Sequence, residues 1–190
     1  MSLDQTYARI AFPPRRTVYG VRLEDYTLGH AMLIQRLDLD VYAGWGSLAL
    51  AVFVCSRPWR RAVATLNDRK SRLLRQWWTW RAYILYGDEG MAAATEAMWE
   101  WIIEAWTLPE FWERQKDPDQ LLDPKERNAP LLQRLRLLWS QQFQINLDAA
   151  MDLPMQRALW DSACRMESEG HIEWVDDSTL DVMGAEEARP

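Results

Sequence analysis

The chain has 190 residues, 48% of them apolar and 26% charged, with a net charge of -6 at pH 7. That is long enough to bury a real core in one domain, and the composition is globular, neither disordered nor fibrous. Twelve tryptophans stand against eight glycines, and Gly44-Trp45-Gly46 is too short for a dinucleotide fingerprint, so nucleotide binding through a glycine-rich loop is not expected. The longest apolar run, Leu48 to Cys55, is far short of the roughly twenty residues that span a bilayer. The N-terminal stretch carries Asp4 early and no continuous apolar segment, which reads as no secretory signal. Cys55 and Cys164 sit inside apolar helical stretches and are read as buried free thiols of a reducing compartment, which makes the expected location the cytoplasm.

In chain order, "FPPRRTVYGVRLEDY" reads as an extended arm or short hairpin, giving an N-terminal arm over residues 1–26. Thr27 caps a helix from Leu28 to about Leu37, with Leu28, Met32, Leu33 and Leu37 on its apolar face. Periodicity does not separate helix from strand for "LALAVFVCS". Ser47 as a cap before it, and Ser56 with Pro58 as a fresh start after it, favour helix. From Pro58, Trp59, Ala62, Leu66, Leu73, Trp77, Trp80 and Ile84 recur at three- and four-residue steps. They describe one helix of about 40 Å or two broken near Asn67. "GDEG" at 87–90 supplies a stop and turn, and Met91 to Trp106 returns as the second arm of an antiparallel hairpin.

A short helix near Phe111 and Trp112 is expected before a proline-rich, charged connector over 113–129. Pro130 opens a helix to about Ile145, and Met155 to Ser168 forms another, ended by Gly170. "HIEWVDD" reads as a short strand within 171–176 that could pair with the N-terminal arm, and residues 179–190 as an acidic tail. The predicted fold is mainly α, a compact domain of about six helices over 27–178 around a central tryptophan-rich hairpin.

The tryptophans raise the functional question. With Trp77 at zero on a wheel of 100° per residue, Leu73, Trp80 and Ile84 lie within about 60° of it, and Leu74, Trp78 and Leu85 form a shoulder. Arg75, Thr79, Ala82 and Tyr86 lie opposite. An apolar arc of this kind argues against a nucleic-acid surface, where stacking aromatics stand among basic groups on a wet face. It also argues against a membrane-surface helix. Arg81 falls inside the arc, where it either lies on an indole face, worth about 0.5–2 kcal/mol, or snorkels to solvent. On the returning helix the apolar arc covers about 200° and Glu96, Glu100 and Glu104 line the other side, placed to meet Arg72 and Arg75 across the hairpin. Such a wide arc is either the centre of the domain or partly reserved for a partner.

Residues 57–81 hold eight basic side chains against Asp68 alone, while the last stretch is acidic. This is read as halves that attract one another, or as a polyanion face bearing Arg61, Arg72 and Arg75. His30, His171, Cys55 and Cys164 are scattered, and Asp117, Asp119 and Asp123 are interrupted by prolines, so no metal site is expected. No nucleophile or carboxylate pair stands in an activating context, so neither an enzyme nor a cofactor is expected.

Three stretches, "YTLGHAMLIQRLD" (26–38), "SLALAVFVCSRPWRRA" (47–62) and "LPMQRALWDSACRMESEGHIE" (153–173), resemble in that order a family of small helical proteins of phage and prophage tail modules. These are the tail assembly proteins of the tape-measure chaperone type. The resemblance covers about a quarter of the chain and leaves out the tryptophan-rich middle. It implies a protein that coats the long helical tape measure protein in the cytoplasm of a bacterial host until tail tube subunits replace it. The contacts expected for that task are Trp78, Trp99, Trp101 and Trp106, at the edges of the apolar arcs, unless all four are core. The alternatives are a structural subunit of the tail or neck, present in the virion, and a nucleic-acid module using residues 57–81. Partners are therefore expected among the tape measure or other tail proteins or a second copy of the chain, with no membrane and with nucleic acid disfavoured.

Overall fold

The computed structural model describes residues 8, 10–11, 16–68, 71–107, 111–113, 130–170 and 172–174, and for 71–75, 82, 111–113 and 172–174 their backbone. The fold is mainly α, as expected, with two small antiparallel strand pairs. The connector over 114–129, His171 and the tail over 179–190 lie outside the described residues.

The arm is not simply extended. Ala8, Ile10 and Ala11 are helical, and β1 (Thr17–Val18) and β2 (Val21–Arg22) form a hairpin. Its two turn residues, Tyr19 and Gly20, both take positive φ (53° and 67°), the backbone that a two-residue hairpin demands. Tyr19 is an unusual residue there, and its buried ring, stacked on Trp45 at 5.8 Å and tilted on Tyr86 at 5.1 Å, holds the turn down.

Helix α1 (Leu28–Arg36) starts as predicted at Thr27. The Thr27 Oγ1 accepts from the His30 backbone N–H, while the Thr27 N–H donates to His30 Nδ1, so a histidine completes the capping box. Helix α2 (Trp45–Cys55) is capped by Gly44 (φ 115°), and Ser47, the cap expected from the sequence, lies inside the helix. Glycine tolerates that backbone at a helix entry, so the chain turns into the helix earlier than the hydroxyl signal suggests. Residues Leu48, Ala49, Ala51, Val52, Phe53, Val54 and Cys55 are all buried, so α2 is enclosed nearly all round, which is why its sequence shows no period.

The pattern from Pro58 divides at Asn67 into α3 (Trp59–Asn67) and α4 (Ser71–Trp106). The stop and turn expected over 87–90 is reduced to one residue, Gly87 (φ 57°, ψ −172°), the non-helical kink that divides α4 into two helical segments. Helices α2 and α4 pack against each other at the centre of the fold, α4 giving Ala94, Met98 and Ala105 to the core. The acidic line of α4 is met by Arg16, whose guanidinium bonds Glu104 and lies 3.9 Å from Glu100, while the side chains of Arg72 and Arg75, the partners expected for it, lie outside the described residues.

Phe111 and Trp112 belong to a strand and not to a helix. β3 (Phe111–Glu113) pairs antiparallel with β4 (Ile172–Trp174), Phe111 opposite Trp174, so the predicted C-terminal strand exists but its partner is not the arm. Between them run α5 (Leu131–Gln142), the short α6 (Leu147–Ala150), which Asn146 caps and the sequence pattern does not reveal, and α7 (Met155–Ser168). The two ends of the domain meet at α1: Met155 N–H donates to the Tyr26 carbonyl (2.8 Å) and Gly29 N–H to the Met151 carbonyl (2.8 Å). Among the described residues Trp139 of α5 is the largest fully buried side chain.

Candidate partner-binding surface

Helix α2 and the first segment of α4 lie side by side in opposite directions. The Phe53 ring meets Trp78 at 6.5 Å near one end, and Trp45 meets Tyr83 at 5.3 Å near the other. Gly46 and Ala49 carry little side chain, and the space they leave is an open groove of about 580 Å³ walled by Trp45, Phe53, Trp80 and Tyr83. Its lining is almost wholly apolar, with Gln76 and Thr79 the polar side chains along it. Beside it, α4 presents a wet ridge: Trp77 is 50% exposed, Trp80 62% and Ile84 56%. Single exposed apolar residues are ordinary, whereas three within two turns of one helix make a candidate binding surface.

The four tryptophans singled out from sequence divide. Trp78, Trp101 and Trp106 pack against the core, Trp101 edge-on to Tyr26 at 5.1 Å. Trp99 is exposed and touches Tyr42 edge-on at 5.6 Å. The residues that do face solvent, Trp77, Trp80 and Ile84, are those the helical wheel put at the centre of the apolar arc. A wheel locates an apolar arc but not the side on which neighbours pack, and α2 meets α4 on the shoulder that carries Trp78. The arc was legible in the sequence; the part of it left in water was not.

Two of the basic groups lie on aromatic rings. Arg57 stacks its guanidinium 3.7 Å from the Phe53 ring centre, and burial, then the neighbouring Arg61 charge, holds its pKa below the usual arginine range. Arg61 is exposed, and among the described residues no carboxylate pairs with Arg57, Arg61 or Arg81. The Arg81 guanidinium lies 5.5 Å from the Trp77 ring centre, so it takes the indole-face option and not the snorkelling one. The side chains of Arg72 and Arg75 lie outside the described residues. A second, polar cleft holds Arg60 and Arg136, but Asp152 and Asp148 pair with them at 3.1 Å each.

The titratable groups serve structure. His30 is buried, accepts at Nδ1 and donates from Nε2 to the Arg57 carbonyl at 2.9 Å; burial holds its pKa below the ordinary value. Burial pushes the Cys55 thiol up, away from nucleophile chemistry. Cys164, expected to be buried, is exposed at the surface of α7, and its thiol too is raised, by desolvation first and then by Asp161 and Glu167. Among the described residues no group of three His, Cys, Asp or Glu could hold a metal ion, and no helix is long and apolar enough to cross a membrane. Comparison with protein-family models, with curated proteins and with solved structures finds no match.

Proposed function

We infer that this protein is a protein-binding assembly factor that holds an amphipathic helix of a partner in the groove between α2 and α4. The observation that carries the reading is the apolar groove of about 580 Å³ beside the exposed Trp77, Trp80 and Ile84. An amphipathic helix places residues at i, i+3, i+4 and i+7 into such a groove, and aromatic walls supply contact area at low entropic cost. The resemblance to tail assembly proteins makes the long helical tape measure protein the client, coated until tail tube subunits displace it. Trp80 and Tyr83 replace Trp78, Trp101 and Trp106 as the contact residues, while Trp99 stays exposed on a separate face.

The test is capture of recombinant tape measure fragments by the tagged full chain at moderate salt. The expected result is a soluble complex with the native chain and at least a tenfold weaker one with Trp80→Ser/Tyr83→Ser, whose helical circular dichroism is unchanged (about 1.4 kcal/mol of binding). Undiminished capture by that variant would remove the groove from the function. A second reading has its own support: Trp77, Trp80 and Arg81 stand together on a wet face, the arrangement that stacks single-stranded bases. Binding of a dT oligonucleotide that falls steeply with salt would favour it.

A further inference from the structure

The β1–β2 hairpin closes against the first segment of α4 over a small cavity. Its walls are Tyr19 and Val21 of the hairpin and Trp78, Arg81, Leu85 and Tyr86 of α4, and its volume of about 20 Å³ gives room for one water-sized species. The hairpin sits close: a Cβ on Gly20 would stand 2.8 Å from the Tyr86 hydroxyl, so a side chain there would push the turn off α4. Two wall residues carry a buried polar atom with no hydrogen-bond partner among the described residues, the Tyr19 hydroxyl and the Trp78 Nε1–H. Native folds leave few such groups unmet, and here two of them line one cavity. Tyr19 also holds a left-handed backbone (φ 53°), a cost that a non-glycine residue keeps only where its surroundings fix it.

The walls select what fills the cavity. The indole N–H and the Arg81 guanidinium can only donate, and Arg81 has no carboxylate partner among the described residues. The Tyr19 hydroxyl, pushed up to about 12 by burial, keeps its proton at neutral pH. No wall residue is a carboxylate or an amide. A species that accepts from every side and carries negative charge suits all three groups, whereas a water brings no charge to Arg81. We propose that this cavity is a halide site, in which a chloride ion accepts from Trp78 Nε1–H and the Tyr19 hydroxyl beside the Arg81 charge and so ties the hairpin turn to α4. Trp78 also lines the groove, but the site does not depend on a client bound there.

Thermal unfolding of the full chain tests it, with sodium chloride replacing sodium gluconate up to about 200 mM at constant ionic strength, since gluconate is too large for the cavity. The expected result is a saturable rise in Tm of about 3 °C or more, reproduced by bromide. Tyr19→Phe, which removes one oxygen, and Arg81→Gln, at an exposed position, should each weaken the apparent chloride affinity about tenfold or more, with helical circular dichroism unchanged. A Tm indifferent to halide, or a halide effect that survives undiminished in either variant, overturns the proposal. Should a variant fail to fold, crystals of the native chain grown in sodium bromide decide: an anomalous peak between Tyr19 and Trp78 is expected, and solvent density there without one overturns the proposal. Capture of tape measure fragments is read separately, so loss of the halide site leaves the proposed function standing and loss of capture leaves the halide site.

Discussion

Trp99 and Trp106, two turns apart on α4, show how far one side chain's neighbours decide its role. Trp99 is exposed against Tyr42, whereas Trp106 packs on the core. Trp99→Gln should therefore cost less than about 1 kcal/mol in urea unfolding, and Trp106→Gln about 2 kcal/mol or more, because only the latter leaves a gap and puts an amide into it. Equal costs would mean that Trp99 is core as well. The sequence places both on one broad apolar arc and makes them equivalent candidates. His30 is the opposite case: a histidine beside Gly29 on an apolar face reads as a satisfied core residue, and its two ring hydrogen bonds bear that out.

At the scale of elements, helix starts were the most legible features. Thr27, Pro58, Pro130 and Pro154 each stand where a helix begins, since caps and N-terminal prolines act locally. The Gly87 break was legible in kind but not in form. Its backbone (φ 57°, ψ −172°) is open to glycine alone, and nothing lies within 4 Å of where a Cβ would stand. Gly87→Ala should thus destabilise the fold by about 1–3 kcal/mol through backbone strain alone, with no steric contribution from neighbours. A neutral result by thermal unfolding would mean that α4 straightens through this point without loss. The β3–β4 pairing was not legible, because two three-residue strands carry too short a pattern to specify a partner so distant in sequence.

For the whole molecule, the buried titratable groups set a stability plateau. His30 has a pKa below the ordinary 6.5 in the fold, so as pH falls below 6.5 the unfolded chain takes up its proton first and stability drops. At the other end Cys55 and Tyr26 are raised above 9.0 and 10.0, and Tyr19 is pushed up to about 12, all by burial. The unfolded chain releases those protons first, so stability falls again as pH rises above 9. Unfolding midpoints in urea from about pH 5 to 11 should trace a dome, and His30→Gln should flatten its acid side. The sequence by itself determined a mainly α fold, the helix starts and the charge division along α4, because caps, periodicity and composition act within a few residues. The tertiary structure decided that α2 is enclosed nearly all round, that Ala94, Met98 and Ala105 of α4 join it in the core, and that Trp77, Trp80 and Ile84 face water, because the side of an apolar arc that is buried depends on which neighbour packs against it.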